Sequence, residues 1–133
     1  MTLIVLDTDV ASQYRAGRLP AGHRRLVSAN WHCIAFATAG ELWRWSLVRR
    51  WGSVRRGGLG LWLAGEAVLP GDRLVALTWA DITAGAQRRG RPRPLNDSWI
   101  AACCIESGLP LLTRNRRDFA DFAEHDGLVL LGG

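Results

Sequence analysis

Leu3-Ile4-Val5-Leu6-Asp7-Thr8-Asp9-Val10 decides the fold. Four consecutive apolar residues without polar alternation predict a strand covered on both faces, as in a parallel sheet. The acid that follows at once then stands at the strand's carboxyl end, where open parallel sheets bind their ligands. Outward from this segment the same rhythm repeats. Short apolar runs predict further strands at residues 33–37, 74–77, 109–113 and 128–131. Amphipathic spacing predicts helices over residues 10–16, 24–30, 39–51, 54–69, 79–89, 96–108 and 118–125. In the third of these, Leu42, Trp45 and Val48 recur at helical intervals. The fourth contains Gly57, Gly58, Gly60 and Gly65, each costing about 1 kcal/mol against alanine in a helix interior. Gly108 is the expected stop of the sixth. Strands alternating with helices define the α/β class, with a mostly parallel sheet of about four or five strands.

Composition narrows the range of functions. With 133 residues, 48% hydrophobic and 22% charged, the chain is expected to form one domain over residues 1–133, large enough to bury a core without staples. The longest apolar stretch, residues 59–69, is short and interrupted by Glu66, so no membrane span is expected. The first residues lack the basic segment of a secretory signal. Cys33, Cys103 and Cys104 stand in apolar contexts with no zinc-ligand spacing, which excludes a disulfide framework and fits a reducing cytoplasm. The net charge is +5, and all 17 basic residues are arginine. Its planar fork suits phosphate, so a polyanionic partner such as nucleic acid is expected. Arginines are densest around residues 88–93, where Arg91 and Arg93 alternate with Pro92 and Pro94; this loop reads either as a phosphate-contacting lip or as a solvated connector.

Four carboxylates fall where this architecture brings them together. Asp7 ends the first strand, Glu41 lies one turn into the helix after the second, Asp97 opens the helix before the fourth, and Asp118 opens the helix after it. Ile100, Ala101 and Cys104 continue the face of Asp97 at i+3, i+4 and i+7, so that carboxylate shares the sheet-facing stripe. Each acid alone has an ordinary explanation, as a helix cap, a first-turn acid or a solvated side chain. Convergence on one edge is harder to explain that way, because clustered carboxylates repel and a divalent cation relieves them. Oxygen-only ligands select hard ions, Mg2+ or Mn2+ over zinc.

The segments Leu6-Asp7-Thr8-Asp9-Val10, Thr38-Ala39-Gly40-Glu41-Leu42, Asn96-Asp97-Ser98-Trp99-Ile100-Ala101-Ala102 and Thr113-Arg114-Asn115-Arg116-Arg117-Asp118-Phe119 resemble, in order and spacing, the four acidic motifs of PIN-domain ribonucleases. The nearest likeness is to the VapC toxins of bacterial VapBC toxin–antitoxin pairs, and it covers essentially the whole chain. Asp9 departs from the pattern, since many relatives carry asparagine or serine there; a fifth carboxylate adjusts the site. The resemblance implies a three-layer α/β/α sandwich and a metal-dependent endoribonuclease silenced by a cognate VapB-type antitoxin. In that reading Asp7, Glu41, Asp97 and Asp118 are catalytic. Asp7 and Asp97 are the primary ligands of Mg2+ or Mn2+, with Glu41 and Asp118 binding directly or through water. Thr113, Asn115, Arg114 and Arg116 are candidate substrate contacts. An antitoxin segment is expected to cross the site, setting a carboxylate against Arg44, Arg114, Arg116 and Arg117 or a basic group among the acids. A homodimer is expected through the helices carrying residues 42–48 and 59–69, giving a toxin–antitoxin hetero-oligomer.

Two other readings compete. Asp7-Thr8-Asp9-Val10 also fits the nucleophile motif of haloacid-dehalogenase-like phosphatases, with Asp7 attacking phosphorus and Asp9 as acid and base. Against it, the chain has no lysine, and Gly71-Asp72 lacks a second acid at the usual spacing. The other is a PIN-like module that binds RNA or a protein with little activity. Trp43, Trp45, Trp51 and Trp99 serve either as stacking platforms for bases or as core and interface residues.

Overall fold

The computed structural model describes residues 2–132, with five strands and seven helices among them. In chain order these are β1 (Leu3–Leu6), α1 (Thr8–Arg15), α2 (Ala21–Ala29), β2 (Trp31–Ala35), α3 (Phe36–Val48), α4 (Ser53–Ala64), β3 (Val68–Leu69), α5 (Arg73–Arg88), α6 (Leu95–Ser107), β4 (Leu111–Leu112), α7 (Arg116–His125) and β5 (Leu130–Leu131). All pairings are parallel, in the order β3-β2-β1-β4-β5. The order reverses at β1, whose two neighbours are β2 and β4.

Alternation along the strands divides the core between two faces. Val5, Cys33, Ala35 and Leu111 point to one side, where they pack with Val75 and Ile82 of α5, Ile100 and Cys104 of α6, and Phe119 and Phe122 of α7. Ile4, Leu6, Ile34 and Leu112 point to the other, against Val10 of α1, Val27 of α2, Leu42 of α3 and Leu59 of α4. The result is the three-layer α/β/α sandwich. Among the described residues no helix is long and apolar enough to cross a membrane.

The third strand is not where the apolar run at residues 74–77 suggests. That segment is the first turn of α5 and begins with a cap: Asp72 accepts a hydrogen bond from the Val75 amide at 3.0 Å. Helical spacing then turns Val75, Ile82 and Ala86 inward and leaves Leu74 and Leu77 more than half exposed. The strand is instead Val68–Leu69, paired with Ile34 and Ala35, in a stretch read from sequence as the end of a helix running to residue 69. Gly65 closes α4 ahead of it. After it, Gly71 passes so near the Phe36 ring that a Cβ there would lie 2.8 Å from it.

Other boundaries move less. The second strand ends at Ala35, because Phe36 already begins α3, so residues 36–37 are helical. The last two strands shrink to Leu111–Leu112 and Leu130–Leu131. Gly108 ends α6 in the left-handed conformation, φ 66°, as a helix stop should. Of the helix faces expected to dimerise, Leu42 and Leu59 are buried within the chain, while Leu47, Val48 and Leu61 are exposed.

Candidate active site

Parallel pairing of β1 with β4 builds the centre of the site. Leu6 is in register with Leu112, and the Asp7 amide donates to the Leu112 carbonyl at 3.0 Å. The next residues of the two strands, Asp7 and Thr113, therefore emerge side by side at the switch point of the sheet. Thr113 donates its hydroxyl to Asp7 Oδ2 at 2.9 Å, while Asp7 Oδ1 accepts from the Thr8 amide at 2.8 Å and caps α1. Asp7 and Thr113 are both buried. Thr113 Oγ1 also accepts from the Asn115 amide at 2.9 Å, and the Asn115 side chain donates to Asp9 Oδ2 at 3.0 Å.

The remaining acids arrive on helices, Glu41 from the second turn of its helix and the other two from first turns. Glu41 comes from α3, where Asn96 of α6 donates to its Oε2 at 2.8 Å. Asp97 and Asp118 lie in the first turns of α6 and α7, where helix dipoles favour negative charge. A cleft of about 160 Å³ is lined by Asp7, Thr8, Asp9, Glu41, Trp45, Asp97, Asn115 and Asp118. All four sequence-predicted acids thus meet in one concavity, together with Asp9.

Electrostatics follow from this crowding. Burial pushes the Asp7 carboxyl up to about 6, against the opposing hydrogen bonds from Thr113 and Thr8, and Asp9 and Glu41 push it the same way. Asp97 also rises to about 6, first through desolvation, then through repulsion from Asp7, Asp118, Glu41 and Asp9 in turn. Each of the other four acids is felt at Asp97, so it stands at the electrostatic centre of the group.

The donor set suits a hard divalent cation: it is all oxygen and carries excess negative charge. Among the described residues no three histidine, cysteine or acidic side chains are already gathered around a single point. Mg2+ does not require such a cage, since it keeps several waters and is held through one or two carboxylates.

The candidate substrate contacts divide. Thr113 and Asn115 belong to the centre, as hydrogen-bond supports of Asp7 and Asp9. Arg114 and Arg116 do not line the cleft: Arg114 donates to Gln13 at 2.9 Å and Arg116 to the Gly132 carbonyl at 2.6 Å. Sequence reasoning assigned no role to Asn96 or Thr8. The amide of Asn96 beside the acid motif was a legible signal for the first. The contact between the hydroxyls of Thr8 and Thr38, buried at 3.0 Å, joins α1 to α3 and had no sequence signal.

An open parallel sheet with an acidic cleft at its switch point sets the class of fold and site, and comparison with known proteins specifies it further. The PIN domain family model matches residues 4–125, and the chain belongs to that family. This removes Asp7-Thr8-Asp9-Val10 from the haloacid-dehalogenase pattern. No curated protein matches the sequence. Among solved structures, VapBC-1 from nontypeable Haemophilus influenzae is similar with a TM-score of 0.82 at 21% identity, covering 98% of this chain and 97% of that one. DNA-bound VapBC from Salmonella typhimurium gives 0.79 at 24% identity, over 98% of each chain. VapBC-5 from Mycobacterium tuberculosis, a member of the VapBC family of toxin–antitoxin systems, gives 0.71 at 22% identity over the whole of both chains.

Proposed function

We propose that this protein is a metal-dependent endoribonuclease, the toxin of a toxin–antitoxin pair. The observation that carries the reading is the convergence of Asp7, Glu41, Asp97 and Asp118 on one cleft at the sheet's switch point. The similarity to VapBC structures supports the toxin assignment.

In this reading Asp7 and Asp97 hold Mg2+ or Mn2+, and Glu41 and Asp118 hold it directly or through water. When bound, the cation activates a water and neutralises the charge that develops on the phosphate during hydrolysis. The chain's own residues fix the geometry. Thr113 and the Thr8 amide occupy one lone pair on each Asp7 oxygen and so set the plane of the carboxylate. Asn96 does the same for Glu41, and Asn115 for Asp9. Such supporting hydrogen bonds matter, because their loss typically costs about 10–100-fold in metal affinity or activity. No histidine lines the cleft, so proton removal from water falls to the acids.

The partner expected is a VapB-type antitoxin whose segment crosses the cleft. A basic side chain of that segment would pair with the acids and cancel their mutual repulsion. A homodimer completes the proposed assembly, for which the exposed Leu47, Val48 and Leu61 of α3 and α4 are the candidate surface.

The test is controlled expression followed by sequencing of new RNA ends, with wild type beside a D97N variant. The reading predicts discrete new ends with wild type alone, suppressed when the antitoxin is co-expressed. New ends that are equally abundant with the variant would remove this chain as their source.

A further inference from the structure

On the far side of Trp45 from the acidic cleft lies a second concavity, of about 180 Å³, between α1, α3 and α4. Trp45 borders both. The second one has the opposite charge: Arg15, Arg18, Arg49 and Arg55 line it together with Trp45 and Trp51. Among the described residues none of these four guanidiniums is within ion-pair distance of a carboxylate. Four uncompensated cations around one concavity repel one another, and an anion placed among them relieves that repulsion.

Two of the guanidiniums are also oriented. The Arg55 guanidinium carbon lies 3.7 Å from the centre of the Trp51 ring, and that of Arg49 lies 5.0 Å from the centre of Trp45. A guanidinium resting on an indole keeps its N–H edges free for phosphate and loses little freedom when it binds. Indole and guanidinium planes are both surfaces on which a nucleobase stacks. A volume well below the about 300–1,000 Å³ of a drug-sized pocket admits a base or a phosphodiester unit. The concavity around Arg91 and Arg93 differs: Asp121 and Glu124 line it beside its arginines, and Asp121 already pairs with Arg89.

We propose that the cavity of Arg15, Arg18, Arg49, Arg55, Trp45 and Trp51 is a subsite for single-stranded RNA, holding a flanking nucleotide of the strand whose phosphodiester lies in the acidic cleft. The proposal rests on the nuclease reading for its substrate. Geometry links the two places: α1 runs from its cap at Asp7 to Arg15, about 12 Å further on at 1.5 Å per residue. A short run of strand passing Trp45 therefore reaches from the acids to the arginines. An acidic peptide would satisfy the charges but would leave the flat surfaces unused.

The experiment measures binding and cleavage separately. Binding is read by anisotropy of a fluorescein-labelled oligouridylate of about ten nucleotides, within the usual site sizes of single-strand binders, in EDTA so that cleavage plays no part. The proteins are wild type, R49A/R55A, and R24A/R25A, which removes the same charge from the exposed face of α2. The double variant at the cavity should bind about tenfold more weakly or worse. Its dependence of log affinity on log salt should flatten by roughly 0.7 for each phosphate that the arginines no longer neutralise. R24A/R25A should match wild type. Equal weakening in both doubles would reduce the effect to overall charge and overturn the proposal. So would unchanged binding by R49A/R55A, or preferential capture of an oligoglutamate peptide over the RNA. A parallel cleavage assay in Mg2+ separates the two readings. Wild type that binds through the cavity but never cleaves would overturn the nuclease and leave the subsite standing. Wild type and R49A/R55A that cleave and bind alike would do the reverse.

Discussion

Replacement of Asp97 by asparagine is expected to lower RNA cleavage by more than about 100-fold without lowering the thermal stability of the metal-free protein. Loss of a group that merely supports a ligand typically costs about 10–100-fold, and loss of a ligand's own charge should cost more. Two effects on the fold oppose each other. The first turn of α6 loses a negative charge that the helix dipole favours, about 0.3–1 kcal/mol at an exposed site. Against that, repulsion from Asp7, Asp118, Glu41 and Asp9 at this position is removed. Cleavage assays on purified protein, with thermal melts of the same samples, separate lost chemistry from lost structure. A D97N protein that cleaves like wild type would remove Asp97 from the site.

The second large effect concerns stability and pH. Asp7 has a carboxyl raised from its ordinary 3.8 to about 6. Between those values the folded protein holds a proton that the unfolded chain has released, so stability falls as pH rises through this window. The difference corresponds to about 3 kcal/mol once pH exceeds 6. In metal-free buffer at pH 7, D7N should therefore melt above wild type, by on the order of 10 °C for a domain of this size. Asparagine retains the helix-capping oxygen, so the N-terminus of α1 is preserved. Near pH 4 the two proteins should converge, because wild-type Asp7 is then protonated. Mn2+ at a hundredfold excess over Kd should add about 2.7 kcal/mol to wild type at pH 7 and little to D7N. Melts that differ equally at both pH values would mean that the effect comes from packing rather than ionisation.

Much of the site was legible because it follows from β1. The apolar run placed the strand, the following acid placed Asp7 at its carboxyl end, and helix starts placed Asp97 and Asp118. Periodicity also put Ile100, Ala101 and Cys104 of α6 on the buried stripe. What was not legible depended on partners distant in sequence. β3 is two residues long and pairs with β2 across the whole of α3 and α4, so nothing local separates it from the apolar helix before it. Residues 74–77 have the composition of a strand, and only the Asp72 cap and the inward turn of Val75 and Ile82 reveal a helix. The ion pair of Arg89 with Asp121, at 2.6 Å between the C-cap of α5 and α7, joins residues that no spacing rule connects. Arg114 and Arg116 illustrate the opposite limit. Adjacency to Asp118 suggested substrate contacts, whereas the start of α7 directs both side chains to other partners.

The central claim, that the acidic cleft is a metal-dependent RNA-cleaving site, is tested most directly by metal titration of cleavage. Purified wild-type protein is stripped with EDTA, dialysed, and mixed with a single-stranded RNA while Mg2+ or Mn2+ is added stepwise. The account predicts no cleavage without metal, saturable cleavage with either ion, and none at any concentration for D97N. Cleavage at full rate in EDTA, or metal-stimulated cleavage that survives D97N unchanged, would contradict it.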